Sequence, residues 1–141
     1  MPGEFCLVDT LKRQSAKISD YGEVKVAPYA YSLPYFQNMG TANTAYNFVP
    51  PKQDQFFVIT GVLMQANKNV NASTAAVVDL YEADSATDLV IDTSVFQIEM
   101  VKNDRLPLVP LNIKVTEGKF LNGKTTDDDV LMTVTGYYVI C

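Results

Sequence analysis

The sequence predicts an all-β protein, an antiparallel β-sandwich of about eight strands with jelly-roll connectivity. Strand-like segments rich in β-branched and aromatic residues recur along the chain, turn residues separate them, and no long segment has helical periodicity. The 141 residues are 48% apolar and 19% charged, which is enough to bury a core without crosslinks. We therefore expect a single β-sandwich domain over residues 1–141, and the sequence also allows residues 1–20 to form an N-terminal arm.

The first half of the chain contains few clear strand patterns. Residues 10–18 fit either a short helix or an extended arm, and residues 22–27 are a short predicted strand. Residues 28–46 are predicted to be irregular because proline and glycine interrupt them. Residues 55–64 are apolar on both alternating faces, which predicts a central strand buried on both sides. Gly61 within it predicts either a β-bulge or a close backbone approach.

The second half alternates more clearly between apolar and polar side chains. Residues 74–83 and 89–100 each have the period-two pattern of a strand, and the second of these segments reads as half-buried. Residues 111–115 also alternate, and they follow Pro107 and Pro110 directly. Because proline cannot donate a ladder hydrogen bond, this segment is predicted to be an edge strand or its entry loop.

The C-terminal segment contains the strongest hairpin pattern. Asn122-Gly123 is a favoured pair for a tight turn with positive φ, which predicts a hairpin there. A loop over residues 125–129 then precedes a long terminal strand at 130–141, which would span the full height of a sheet. The three aspartates in that loop, Asp127 to Asp129, are interpreted as a solvated loop rather than a Ca²⁺ site, because the spacing of a calcium loop is missing.

Composition excludes several classes of function. The chain has no histidine, which removes histidine-based triads, general bases and metal sites, and it has no Gly-rich phosphate loop. We therefore expect no enzyme activity, no catalytic residues, no metal and no cofactor. Residues 71–141 contain five basic and eleven acidic side chains, and no Lys or Arg lies between Val70 and Val101. Because nucleic-acid binding requires the opposite charge, no nucleic-acid partner is expected.

The remaining sequence features bear on compartment. The longest apolar run, near residues 56–64, is far shorter than the roughly 20 residues of a membrane helix, so no membrane association is expected. No signal peptide is visible at the N-terminus. For a product of the cytoplasm, Cys6 and Cys141 are expected to be reduced thiols, although pairing is open if the first and last strands are neighbours.

An aromatic stretch is the one feature that suggests a functional surface. Its candidate interface residues are Tyr29, Tyr31, Tyr35 and Phe36. Tyrosine and phenylalanine supply large, rigid contact area, which suits a protein interface. The same rings would also serve as core over the open end of the sandwich, or as stacking surfaces for a sugar.

Three C-terminal segments carry a family resemblance: LNIKV at 111–115, FLNGK at 120–124 and VTGYYV at 134–139. They resemble small structural proteins of tailed bacteriophages, in particular jelly-roll capsid decoration (cement or auxiliary) proteins and head-fibre domains. The resemblance implies a non-enzymatic virion protein, assembled in the bacterial host cytoplasm. Such a protein stabilises the capsid as an oligomer, expected here to be a homotrimer, with itself, the major capsid protein or other virion proteins as partners.

The alternative is a receptor- or glycan-binding module of a phage tail or fibre, because those proteins share the same sandwich pattern. The sequence leaves the position in the virion, the oligomeric state and the host open.

Overall fold

The computed structural model describes residues 32–67 and 75–140 in full, together with the backbone of three N-terminal strands. Those strands are β1 (Cys6–Asp9), β2 (Gln14–Ile18) and β3 (Val24–Ala27), which form an antiparallel sheet in chain order. The strand predicted at 22–27 is thus confirmed over Val24–Ala27, whereas the helical alternative for 10–18 is wrong over Gln14–Ile18. The side chain of Cys6 and all of Cys141 lie outside the described residues.

Eight further strands form two four-stranded antiparallel sheets. They are β4 (Leu33–Met39), β5 (Tyr46–Val49), β6 (Gln55–Ala66), β7 (Ala76–Ala83), β8 (Thr93–Met100), β9 (Arg105–Lys114), β10 (Phe120–Thr125) and β11 (Val130–Ile140). Sheet A has the order β4-β11-β6-β9, and sheet B has the order β5-β10-β7-β8. The inner faces of both sheets contribute to one hydrophobic core, so the predicted antiparallel β-sandwich is confirmed.

The pairing of these eight strands is nested. The first strand of the set pairs with the last (β4 with β11), the second with the second-to-last (β5 with β10), the third with the sixth (β6 with β9), and the middle two with each other (β7 with β8). A long hairpin that wraps over itself produces this order.

Strand β6 shows how local sequence sets the core of sheet A. Its inward side chains include Ile59, Val62 and Met64, all buried in the core. The register of β6 shifts on both sides of Gly61, which confirms the predicted bulge. The prediction that both faces are buried is wrong, however, because Leu63 on the outer face is 37% exposed.

Two other predictions are corrected by the strand bounds. Residues 28–46 are not irregular throughout, since β4 occupies Leu33–Met39 and β5 begins at Tyr46. Pro34 is tolerated in β4 because that strand lies at the edge of sheet A. Pro107 and Pro110 lie in β9 at the opposite edge, which confirms the predicted edge strand.

The Asn122-Gly123 pair does not form a turn. Both residues lie in the middle of β10, which pairs with β5 on one side and β7 on the other. Asn122 is fully buried, and a Cβ added to Gly123 would lie 2.6 Å from the Phe48 ring. The pair is therefore used for a buried amide and for close ring packing, not for positive φ.

Candidate interaction surfaces

The predicted aromatic interface residues fall into three groups. Tyr29 and Tyr31 lie outside the described residues. Tyr35 and Phe36 are neighbours on β4 and so face opposite sides of sheet A. Tyr35 packs against the core, with its ring centroid 5.3 Å from that of Phe57, whereas Phe36 is 58% exposed. Of the two described residues, Phe36 is exposed, whereas Tyr35 is partly buried.

Tyr35 belongs to an aromatic cluster at one end of the core. Phe57 stands edge-on between Tyr35 and Tyr138, with a centroid separation of 5.1 Å from Tyr138. The Tyr138 hydroxyl donates to the Pro50 carbonyl at 2.5 Å, and the Lys52 ammonium lies 4.0 Å from the Tyr138 ring centroid. Burial, with a smaller contribution from Tyr35, raises the pKa of Tyr138 to about 12.

This shifted pKa predicts a loss of stability in alkali. The folded protein holds the phenol proton of Tyr138 up to about pH 12, whereas the unfolded chain releases it near its ordinary value of 10.0. The stabilisation is therefore complete below pH 10 and is lost as the pH rises through 12. Urea unfolding across this range should show a declining free energy, and Tyr138→Phe should flatten the decline. An unchanged decline in the variant would contradict the assignment.

The outer face of sheet A presents an apolar surface. Phe36 lies opposite Thr133 of β11, and Thr133 lies opposite Leu63 of β6, so the three side chains form a row on one face. Leu108 of β9 is 56% exposed and covers Gly61, where an added Cβ would lie 2.7 Å from its Cδ1 atom. We call the surface formed by Phe36, Thr133, Leu63 and Leu108 the sheet A face.

The charge distribution around the sheet A face is unusual. Strands β4, β6 and β11 contain no charged residue, and β9 contains only Arg105 and Lys114. Both basic residues are exposed on the edge strand, and the Lys114 ammonium lies 4.2 Å from the Phe56 ring centroid. The strands of sheet A are therefore uncharged apart from a basic edge, and they contain no acidic side chain.

Hydroxyl groups tie the strands together on the same side. Thr60 bonds with Ser32 at 2.8 Å and with Thr135 at 2.9 Å, both through side-chain oxygens. A Cβ added to Gly61 would lie 3.0 Å from the Thr135 hydroxyl, which places this chain of hydroxyls beside Leu108. The surface beside Leu108 is thus polar but uncharged.

A second exposed apolar group lies on the loop between β7 and β8. Leu89, Val90 and Ile91 are consecutive and exposed, and Val90 is the most exposed of them at 65%. We call these three residues the loop tip. The strand predicted over 89–100 is wrong for these residues, because β8 begins only at Thr93.

Buried polar groups hold this loop against the outer side of sheet B. Tyr81 of β7 is fully buried, and its hydroxyl donates to the Asp88 carbonyl at 2.7 Å. Asn122 of β10 donates through Nδ2 to the Ser85 carbonyl at 2.9 Å and to the Asp88 carbonyl at 3.3 Å. The Asn122 Oδ1 atom accepts from Asn47 at 3.0 Å. Because these groups are buried, their hydrogen bonds fix the loop in one place.

Two lysines complete the support of the loop. The Lys119 ammonium donates to Asp84 and to Asp92, the latter at 2.8 Å, and so joins both ends of the loop. Hydrogen bonding and attraction to Lys119 lower the pKa of Asp84, and the same contacts raise the pKa of Lys119. Lys124 donates to the Leu89 carbonyl at 2.8 Å. The two lysines therefore hold the loop that contains the loop tip.

Comparison with protein-family models, curated proteins and solved structures found no match for this chain. The interpretation of these surfaces therefore depends on their own chemistry and on the resemblance of the C-terminal segments. Among the described residues, no helix is long and apolar enough to cross a membrane.

The aspartate loop has a structural use. The Asp128 carboxylate accepts a hydrogen bond from the Ala42 amide at 2.7 Å, which ties the β4–β5 connection to the β10–β11 connection. The Asp128 amide donates to Asp127 Oδ1 at 2.8 Å. Within the described part of the chain, no three acidic or cysteine side chains are grouped as a metal site requires.

Phe36 is a candidate predicted from the sequence, whereas the loop tip and the other members of the sheet A face are not. The missed signal is the absence of charge in three separate segments that become neighbours only after folding. For the loop, the signal is three aliphatic residues bracketed by Asp88 and Asp92.

Proposed function

We propose that this chain is a non-enzymatic structural protein of a tailed-bacteriophage virion, which decorates and stabilises the capsid as an oligomer, a homotrimer. The observation that carries the proposal is the exposed sheet A face, because a charge-free apolar surface on a rigid sandwich is suited to burial against protein. The resemblance of the C-terminal segments supports the same class of protein.

The proposed mechanism is burial of surface between protein subunits, without a catalysed reaction. Each copy would bury apolar surface against itself, the major capsid protein or other virion proteins, and many copies bridging neighbouring subunits would raise the cost of separating them. A stable contact of this kind buries roughly 1,200–2,000 Å² in total. The three exposed side chains of the sheet A face would then form the centre of such a contact, where binding energy concentrates.

The test compares phage particles assembled without this chain with particles to which the purified chain is added back. We expect the added chain to raise the temperature at which the particles release their genome. Phe36→Ser should restore less of this resistance, because it removes the largest exposed side chain of the sheet A face. Val101→Ser, which changes an exposed aliphatic residue away from that face, is the matched control. Equal heat resistance with and without the chain would contradict the proposal.

The second candidate is a receptor- or glycan-binding module of a tail or fibre. The exposed Phe36 ring, with Asn38 two residues along β4 and Thr133 opposite it, favours this alternative, because sugars stack on rings and bond to neighbouring polar groups. Glycan-array binding that disappears in Phe36→Ala would support it. Burial of Phe36 in an oligomer would count against it.

A further inference from the structure

The two exposed apolar surfaces are complementary in charge. The loop tip extends from a base that contains Asp84, Asp88 and Asp92, and no Lys or Arg lies between Val70 and Val101. The sheet A face has no acidic side chain on its strands and only basic ones at its edge. One surface is thus apolar with acidic flanks, and the other is apolar with a basic edge.

The acidic character of the loop is not cancelled by its lysines. Lys119 is bonded to the Asp84 and Asp92 carboxylates and Lys124 to the Leu89 carbonyl, so the three loop aspartates outnumber the two lysines. The Asp84 side chain is paired with Lys119 but is 72% exposed, so an approaching surface can reach it. Asp88 accepts from the Val90 amide at 2.9 Å, which places its carboxylate beside the tip.

We propose that the loop tip of one copy docks on the sheet A face of a second copy. Leu89, Val90 and Ile91 would be buried against Phe36, Leu63 and Leu108, while the loop aspartates approach Arg105 and Lys114. This inference deepens the self-association in the proposed function by specifying the two surfaces that meet.

Such a contact is heterologous, because two different surfaces of the same chain meet head to tail. It leaves a free tip at one end of a pair and a free face at the other, so further copies add until a ring closes. A contact between two sheet A faces would instead be isologous and would stop at a dimer. It would also place a basic edge on both sides of the interface, whereas the head-to-tail contact pairs opposite charges.

The loop is suited to this role because its shape is fixed before binding. Tyr81, Asn122 and Lys119 hold its backbone and its two ends, so little ordering is required when the tip is buried. Val90 is the outermost of the three side chains by exposure and is therefore the residue to change.

The test uses the purified full-length chain and two variants that each disable one surface. Val90→Asp places a charge in the loop tip, and Leu108→Asp places one on the sheet A face. Both side chains are exposed in the monomer, so the fold should be retained, which circular dichroism checks. Val101→Asp is the matched control, because it adds the same charge at an exposed position outside both surfaces.

Sedimentation over a range of concentrations should show that the wild-type chain and Val101→Asp associate. Each disabled variant alone should associate at least about 30-fold more weakly, the effect expected of a central interface residue. An equimolar mixture of the two variants should form dimers and stop there, because one intact tip and one intact face remain. Raising the salt concentration should weaken association, because it screens the opposite charges.

Three results would overturn the proposal: a wild-type chain that stays monomeric, a Val90→Asp variant that associates like the wild type, or a mixture that stays monomeric while the wild type associates. None of these measurements uses a virion. Head-to-tail association together with particles that do not need the chain would therefore reject the capsid role and leave this contact standing.

Discussion

Gly136→Ala should lower the free energy of unfolding by about 3 kcal/mol, the upper part of the usual range for overpacking a core. Gly136 is buried in β11 beside the bulge of sheet A. A Cβ at this position would lie 2.3 Å from the Val58 carbonyl oxygen and 2.4 Å from Cζ of Phe57. The carbonyl belongs to the neighbouring strand, and the Phe57 ring stands between two other aromatic rings, so neither atom can move aside cheaply.

Urea unfolding followed by tyrosine fluorescence measures this loss directly. Gly40→Ala is the matched control, because the nearest heavy atom to an added Cβ there is 3.7 Å away, an ordinary contact distance. We expect the control to change stability by no more than about 0.5 kcal/mol. If both variants unfold at the same urea concentration, the close packing between β6 and β11 is not the constraint that the structure indicates.

The sandwich could be predicted from the sequence because the alternation of residue types within a strand shows which of its faces is buried. In β7, Ala76, Val78 and Leu80 recur every second residue, and all three are in the core. A strand of this kind reveals its buried face without information about its neighbours. The edge position of β9 was predictable for a similar reason, since two prolines within ten residues are compatible only with an unpaired side.

The turn predicted at Asn122-Gly123 is wrong because contacts with distant residues override the local turn propensity. The pair has the conformational freedom for a tight turn, but it is used for contacts with residues distant in sequence. Asn122 bonds with Asn47 and with the loop after β7, and Gly123 makes room for Phe48. Because these partners are 34 or more residues away, no window around the pair contains the information that decides its structure.

The two candidate surfaces were hidden for a related reason. Phe36 was recognisable as an exposed aromatic candidate, but Leu63 and Leu108 become its neighbours only when β11 and β6 lie between β4 and β9. The loop tip resembles the start of a strand, since three aliphatic residues favour β structure. Tyr81 and Asn122, which lie on other strands, bond to the loop backbone and hold these residues in an exposed loop instead of a strand.

Asn122→Ala should lower the free energy of unfolding by about 2 kcal/mol and should also loosen the loop tip. The change removes both hydrogen bonds from Asn122 Nδ2 to the loop, and it leaves the Ser85 and Asp88 carbonyls with fewer donors. Amide hydrogen exchange should therefore speed up most at Val90 and Asp92, whose amides are bonded within and at the end of this loop.

The control for this prediction is Asn112→Ala, which removes an exposed asparagine from the edge strand β9 and should cost less than about 0.5 kcal/mol. Faster exchange spread evenly over both sheets would mean that Asn122 stabilises the whole sandwich and not the loop in particular. Faster exchange confined to the loop would show that Asn122 orders the loop independently of its contribution to the stability of the sandwich. The same variant should then associate more weakly than its loss of stability explains, because a mobile tip must be ordered before it can dock on a second copy.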